Sequence, residues 1–195
     1  RYIIGLYEVL DRVFTPRRHI LFESCSSGGN RFDLGMLCYS PQIWASDDTD
    51  PIERLDIQSG LSYLYPQSTV GAHVSAAPHQ QTLRDTPLST RFNVAAFGVL
   101  GYELELKYMT HAELKELRGQ IEFYKAHRKT FQFGRFYRFD ERKDNKVHWQ
   151  VSSRDGKEHI VGHFQKLCTA SEGPDALCVH DLDSNAKYHL SCKRQ

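Results

Sequence analysis

The side chains best placed to do chemistry stand together at Ser46-Asp47-Asp48-Thr49-Asp50. Carboxylates can shuttle protons or attack an electrophilic carbon. The cluster follows the apolar run Gln42-Ile43-Trp44-Ala45, which puts it at the C-terminal end of a predicted strand, where parallel α/β folds carry their reactive groups. Part of it has a purely structural explanation. Asp50-Pro51-Ile52-Glu53 reads as a helix start, with Asp50 as N-cap, Pro51 as the first helical residue and Glu53 completing a capping box. Asp47 and Asp48 lie too early to cap that turn and remain as solvated loop acids or as catalytic carboxylates.

Other candidates carry alternatives of similar weight. The loop Cys25-Ser26-Ser27-Gly28-Gly29-Asn30 offers backbone N–H groups, glycines for close approach and a small thiol, all suited to hydrogen-bonding a neutral polyol. The other reading is a tight strand-to-helix turn. It lacks phosphate-loop spacing, and no His or second Cys lies near Cys25 in sequence to activate it as a nucleophile. The ten histidines form no metal-ligating pattern, so no metal is assigned, and His73 suits a core position as well as a site. Trp44, three residues before Asp47, is either a core aromatic or a face for a sugar ring, and Trp149 reads as core. The basic, aromatic stretch Lys125 to Arg138 has the spacing of a helix with one solvated and one packed face rather than of a nucleic-acid patch.

The elements that must position these groups change grammar along the chain. The opening helix (Ile3, Leu6, Tyr7, Leu10, Val13, Phe14) begins in mid-pattern without a cap, as in a piece of a longer protein. Apolar runs at Ile20–Phe22, Gln42–Ala45, Thr69–Val74 and Val94–Phe97 are predicted strands that alternate with helices, the last helix carrying Leu114, Leu117, Ile121 and Tyr124. Repeated βα units require a parallel sheet, doubly wound or barrel. From about Gly134 the period becomes two: Val147, Trp149 and Val151, then Ile160, Gly162 and Phe164, joined by a tight turn at Asp155-Gly156. This predicts an antiparallel β-domain over 134–195, a small sandwich, after an α/β part over 1–133. The 195 residues carry 25 Lys+Arg against 24 Asp+Glu, a formal charge of +1, which leaves no basic field for nucleic acid or an anionic membrane. No apolar run reaches the roughly 20 residues of a membrane span. The five scattered cysteines include no C-x-x-C pair, and the expected location is the cytoplasm.

Several motifs in order resemble one family. Ile20-Leu21-Phe22-Glu23-Ser24-Cys25-Ser26-Ser27-Gly28-Gly29-Asn30-Arg31-Phe32-Asp33, Pro41 to Asp50, Ile52-Glu53-Arg54-Leu55, Gly71-Ala72-His73-Val74-Ser75, Thr86 to Arg91, Gly101-Tyr102-Glu103-Leu104 and Phe133 to Arg138 are similar to the family 36 glycoside hydrolases, the microbial α-galactosidases. The resemblance covers residues 1–165 well and the last thirty weakly. It implies the C-terminal half of a (β/α)8 TIM barrel followed by the antiparallel β-sandwich. It also implies retaining hydrolysis of terminal α-galactosyl residues, as in melibiose and raffinose, without metal or organic cofactor. The family's acid/base falls on Asp47, and Cys25, Gly28, Trp44 and Asp48 become substrate-binding candidates. Ser27 and Asn30 replace glycines usual in the family's loop, which bears on the preferred sugar. The family's nucleophile belongs to a Lys-Trp-Asp motif that is absent here, since neither Trp44 nor Trp149 precedes Asp. The expectation is therefore a C-terminal fragment, inactive by itself, of a homo-oligomeric parent enzyme. The alternatives are a non-catalytic galactoside-binding or assembly module, or a galactosyl transferase or α-N-acetylgalactosaminidase of the same family.

Overall fold

The computed structural model describes residues 1–25, 32–139, 145–168, 170–171 and 176–192. Helix α1 (Tyr2–Phe14) has no side-chain cap at Arg1 and buries only Leu10. Tyr2, Ile3, Ile4, Val9 and Val13 face solvent, followed by Leu21 at 85% exposure, so an apolar face lies uncovered among the described residues. Strands β1 (Glu23–Ser24), β2 (Gln42–Trp44), β3 (Val70–Ser75) and β4 (Val99–Glu103) then form one parallel sheet in the order β1-β2-β3-β4. Helix α2 (Pro51–Leu61) connects β2 to β3, helix α3 (Leu88–Ala95) connects β3 to β4, and helix α4 (His111–Phe133) leads on from β4.

The two faces of this sheet differ in chemistry. Ala72 and Val74 of β3 join Leu55 of α2, Phe92, Val94 and Ala95 of α3, and Tyr124 and Phe131 of α4 in one buried cluster. Because side chains alternate across a strand, Gly71, His73 and Ser75 lie on the opposite face. Gly101 shares it, since a Cβ there would fall 2.4 Å from the His73 ring. One face is therefore the core, and the other is polar.

Two predicted strands move. The run Val94–Phe97 is not a strand but the buried end of α3 and its exit turn, and the fourth strand starts at Val99. A helix segment packed on all sides is apolar throughout and looks like a buried strand by composition. The first strand is Glu23–Ser24 rather than Ile20–Phe22. It is pinned to β2 by Ser40, whose Oγ accepts from Ser24 N–H at 2.7 Å, a contact between segments that local hydropathy does not reveal.

Helix α4 starts in a full capping box between Thr110 and Glu113. At its end, a Cβ on Gly134 would lie 2.4 Å from Thr130 O and 2.6 Å from Ser152 O, so only glycine lets the chain turn this close to the next sheet. That sheet is antiparallel, in the order β5-β6-β7, with β5 (Arg135–Phe139), β6 (Lys146–Ser152) and β7 (His159–Gln165). Gly156, at φ +69°, supplies the left-handed residue of the predicted β6–β7 turn. Among the described residues there is one such sheet, without the second sheet of a sandwich. Its Val147-Trp149-Val151 face packs on the helical cluster, with the Phe97 ring edge-on to Phe131, Phe136, Trp149 and Phe164. Trp149 is 0% exposed and its indole N–H reaches Ser59 of α2 at 3.0 Å. The polar face of β6 is buried as well: Gln150 donates to His180 O and accepts from His180 N–H, both at 2.8 Å. Period two marks the strand correctly, but the C-terminal segment, not water, covers its polar side.

Candidate active site

The C-terminal end of β2 runs directly into the acidic cluster. Asp47 is exposed at the tip, and its Oδ1 accepts the indole N–H of Trp44 at 2.9 Å. One carboxylate oxygen is thereby fixed and the other stays open to a ligand. Trp44 is itself held by its surroundings. Its ring lies 4.4 Å from the His73 ring centre to centre, with the Arg54 guanidinium carbon 4.9 Å from its centre. A Cβ on Gly71 would come 3.1 Å from Trp44 Cε3, so glycine makes room for the indole.

Asp48 turns inward instead. Its Oδ1 accepts from Asp50 N–H at 3.0 Å, and the His79 Nε2 atom lies 4.0 Å away. Asp48 thus takes the backbone N–H that a capping box would give to Glu53, and its assumed distance from the cap does not hold. The Glu53 carboxylate pairs with Arg84 at 3.3 Å. Asp50 caps α2 as predicted, accepting from Ile52 N–H at 2.8 Å and Glu53 N–H at 3.3 Å. It also accepts from Thr82 Oγ1 at 2.6 Å and forms an ion pair with Arg84. Behind it, His79 Nδ1 faces the N–H groups of Gln81 and Thr82 at 3.3 Å, which leaves Nε2 to carry the ring proton toward Thr49 Oγ1 at 3.0 Å.

Asp50 is 0% exposed. Burial pushes its carboxyl pKa up, but the hydrogen bonds from Thr82, Ile52, Arg84 and Glu53 outweigh it and hold the group below its ordinary 3.8. A depressed acid stabilises the fold above its unfolded value and loses that contribution as pH falls through the folded one. Asp50→Asn, which keeps a capping oxygen but breaks the pair with Arg84, is expected to cost about 1–3 kcal/mol at neutral pH. Urea titrations of both proteins should show this gap shrinking as pH falls below 3.8. A gap independent of pH would contradict the role given to the charge.

Arg54 sits beneath the whole loop at 3% exposure. Its Nε donates to Asp48 O at 2.6 Å, Nη2 to Ser46 O at 2.6 Å and Nη1 to Gly71 O at 2.9 Å. Burial lowers its pKa to about 10, against the opposing charges of Asp48, Glu103 and Asp47, so it is a cation at neutral pH.

Comparison with known proteins decides the family. Residues 1–134 match the Melibiase family model, and residues 146–195 match the glycosyl hydrolase family 36 C-terminal domain. The chain belongs to glycoside hydrolase family 36. Among family 36 relatives, α-galactosidase AgaA of Geobacillus stearothermophilus is 46% identical over 191 residues, covering 97% of this chain and 26% of that protein. α-Galactosidase 1 of Pediococcus pentosaceus is 51% identical over 165 residues, covering 84% and 22%. The crystal structure of AgaA superposes with a TM-score of 0.90 over 94% of this chain and 26% of that one, at 46% identity. A substituted AgaA solved in complex with raffinose gives the same TM-score at 45% identity, again over 94% and 26%. The chain thus spans about a quarter of the length of the family 36 proteins it matches.

Within this family 36 chain, the structure brings Trp44, Asp47 and Asp48 together at the end of β2. Cys25 is exposed just beyond β1, and all five cysteines are free thiols. Gly28, with Ser27 and Asn30, lies outside the described residues. Sequence reasoning missed Arg54, His79, Thr82 and Arg84. The one available signal was Arg54 itself, an arginine on the helical face shared with Leu55 and Gln58, where an apolar residue is expected. Among the described residues no helix is long and apolar enough to cross a membrane.

Proposed function

We propose that this chain carries the general acid/base, Asp47, of a retaining α-galactosidase acting on oligosaccharides such as melibiose and raffinose. The observation that carries the reading is the placement of Asp47. It is the exposed carboxylate at a parallel strand's C-terminal tip, oriented by the Trp44 N–H, in a chain whose relatives are named α-galactosidases. In this reading Asp47 protonates the glycosidic oxygen as the anomeric C–O bond breaks. It then takes a proton from the water that attacks the galactosyl-enzyme, and the attacking carboxylate belongs to a segment outside these 195 residues. Trp44 fixes Asp47 and walls the sugar site, Cys25 and Gly28 offer hydrogen bonds to galactose hydroxyls, and Asp48 braces the loop.

The sheet supports a half-barrel over 1–133, with the β-domain over 134–195. Its strands follow one another without reversal, whereas a doubly wound sheet reverses order at a switch point. The two crossover helices, α2 and α3, and α4 after β4 all contribute to the cluster on one face. The polar face would line the barrel interior, and the open edges at β1 and β4 would receive the remaining strands. Retention is tested by proton NMR of the first product that the full-length enzyme releases from an aryl α-galactoside. The α-anomer of galactose is expected, and initial release of the β-anomer would overturn the two-carboxylate mechanism.

A further inference from the structure

We infer that Arg54 is a positioning residue for the acid/base: it fixes the loop that aims Asp47 without touching the sugar. The inference rests on the reading of Asp47 as the acid/base. A guanidinium is planar and presents its N–H groups in a rigid fork. Here the fork is spent on three backbone carbonyls, Ser46 O and Asp48 O on either side of Asp47 and Gly71 O on the neighbouring strand. The residues on both sides of Asp47 are thus tied to β3 through one buried side chain. The same guanidinium lies against Trp44, whose N–H holds Asp47 Oδ1. Backbone and side chain of the acid are therefore fixed by a common group. A carboxylate partner would be the ordinary solution for a buried arginine. Satisfying it with loop carbonyls leaves its positive charge facing the acidic cluster while its geometry sets the loop. Lysine keeps the charge but, as a point donor on a flexible stem, cannot bridge three acceptors lying in one plane's directions.

The test compares Arg54→Lys, Arg54→Met and Asp47→Asn in the full-length enzyme. Each is assayed on raffinose, whose leaving group needs a proton, and on a dinitrophenyl α-galactoside, whose leaving group does not. Thermal melting confirms that each variant is folded. Both Arg54 variants are expected to lose about 30- to 100-fold in kcat on raffinose with KM little changed, the scale set by misplacing a catalytic group by about 1 Å. Single-turnover cleavage of the dinitrophenyl substrate should fall no more than about 3-fold by the same reasoning. Azide, an anionic nucleophile that needs no general base, should restore their turnover on the activated substrate. A purely structural residue would give equal losses on both substrates with no azide rescue, and that pattern overturns the inference. So does failure of both Arg54 variants to fold, which would make Arg54 a residue of the fold alone. If Asp47→Asn hydrolyses both substrates as the parent does, the acid/base reading itself falls, and the inference with it. If Asp47→Asn shows the leaving-group split and the Arg54 variants do not, only the role of Arg54 is lost.

Discussion

Asp47→Asn in the full-length enzyme should lower kcat on raffinose by about two to four orders of magnitude, the usual contribution of a positioned proton donor. The same substitution should spare the first bond-breaking step on a dinitrophenyl α-galactoside. Asparagine is nearly isosteric with aspartate, and its amide oxygen can still accept the Trp44 N–H that Asp47 Oδ1 accepts at 2.9 Å. Loop, cap and indole should therefore stay in place, and only the proton is removed. With an activated substrate, the galactosyl-enzyme should form quickly and then persist, because its hydrolysis lacks a base. A burst of one dinitrophenolate per site followed by slow turnover is the expected trace. Equal slowing of burst and steady state would instead indicate a disturbed site.

The second large effect concerns the 195 residues expressed alone: no hydrolysis of a nitrophenyl α-galactoside above buffer. A retaining glycosidase needs two carboxyl groups about 5–5.5 Å apart on opposite sides of the anomeric carbon. In the described structure the neighbours of Asp47 are already engaged: Asp48 holds the Asp50 N–H, and Asp50 is buried against Thr82 and Arg84. Asp50 is not free to attack a sugar, and Asp48 has one oxygen spent on the N-terminus of α2. The polypeptide alone also exposes the apolar side of α1, from Tyr2 to Val13, so the assay must be made on the soluble, monomeric fraction. Activity in that fraction, inhibited by galactose and abolished by Asp47→Asn, would place both carboxylates within this chain and contradict the account.

Several local signals in the sequence were read correctly, although Glu53 pairs with Arg84 instead of completing the capping box of α2. Asp50-Pro51 caps a helix, Asp155-Gly156 turns a hairpin, and the Val70–Val74 region is a strand, each specified within a few residues. Trp44 lies three residues from Asp47, and their proximity was visible, although the indole acts as a hydrogen-bond donor rather than only as a surface for a sugar. What sequence hid is long-range. The partners of Asp50 lie 32 and 34 residues away at Thr82 and Arg84, in a loop with no motif of its own. The cover on the polar side of β6 is equally invisible in the sequence, because His180 is 30 positions from Gln150. The Val94–Phe97 error has the same origin, since burial on all sides erases the periodicity that separates helix from strand.

The stereochemistry of azide rescue tests the role of Asp47 most directly. In Asp47→Asn, azide should enter the face vacated by the general base and displace the enzyme's nucleophile, breaking the glycosyl-enzyme C–O bond and forming a C–N bond. The expected product is α-galactosyl azide. β-Galactosyl azide would mean that Asp47 is the nucleophile, and the absence of any azide adduct together with undiminished hydrolysis of raffinose would mean that it has no catalytic role.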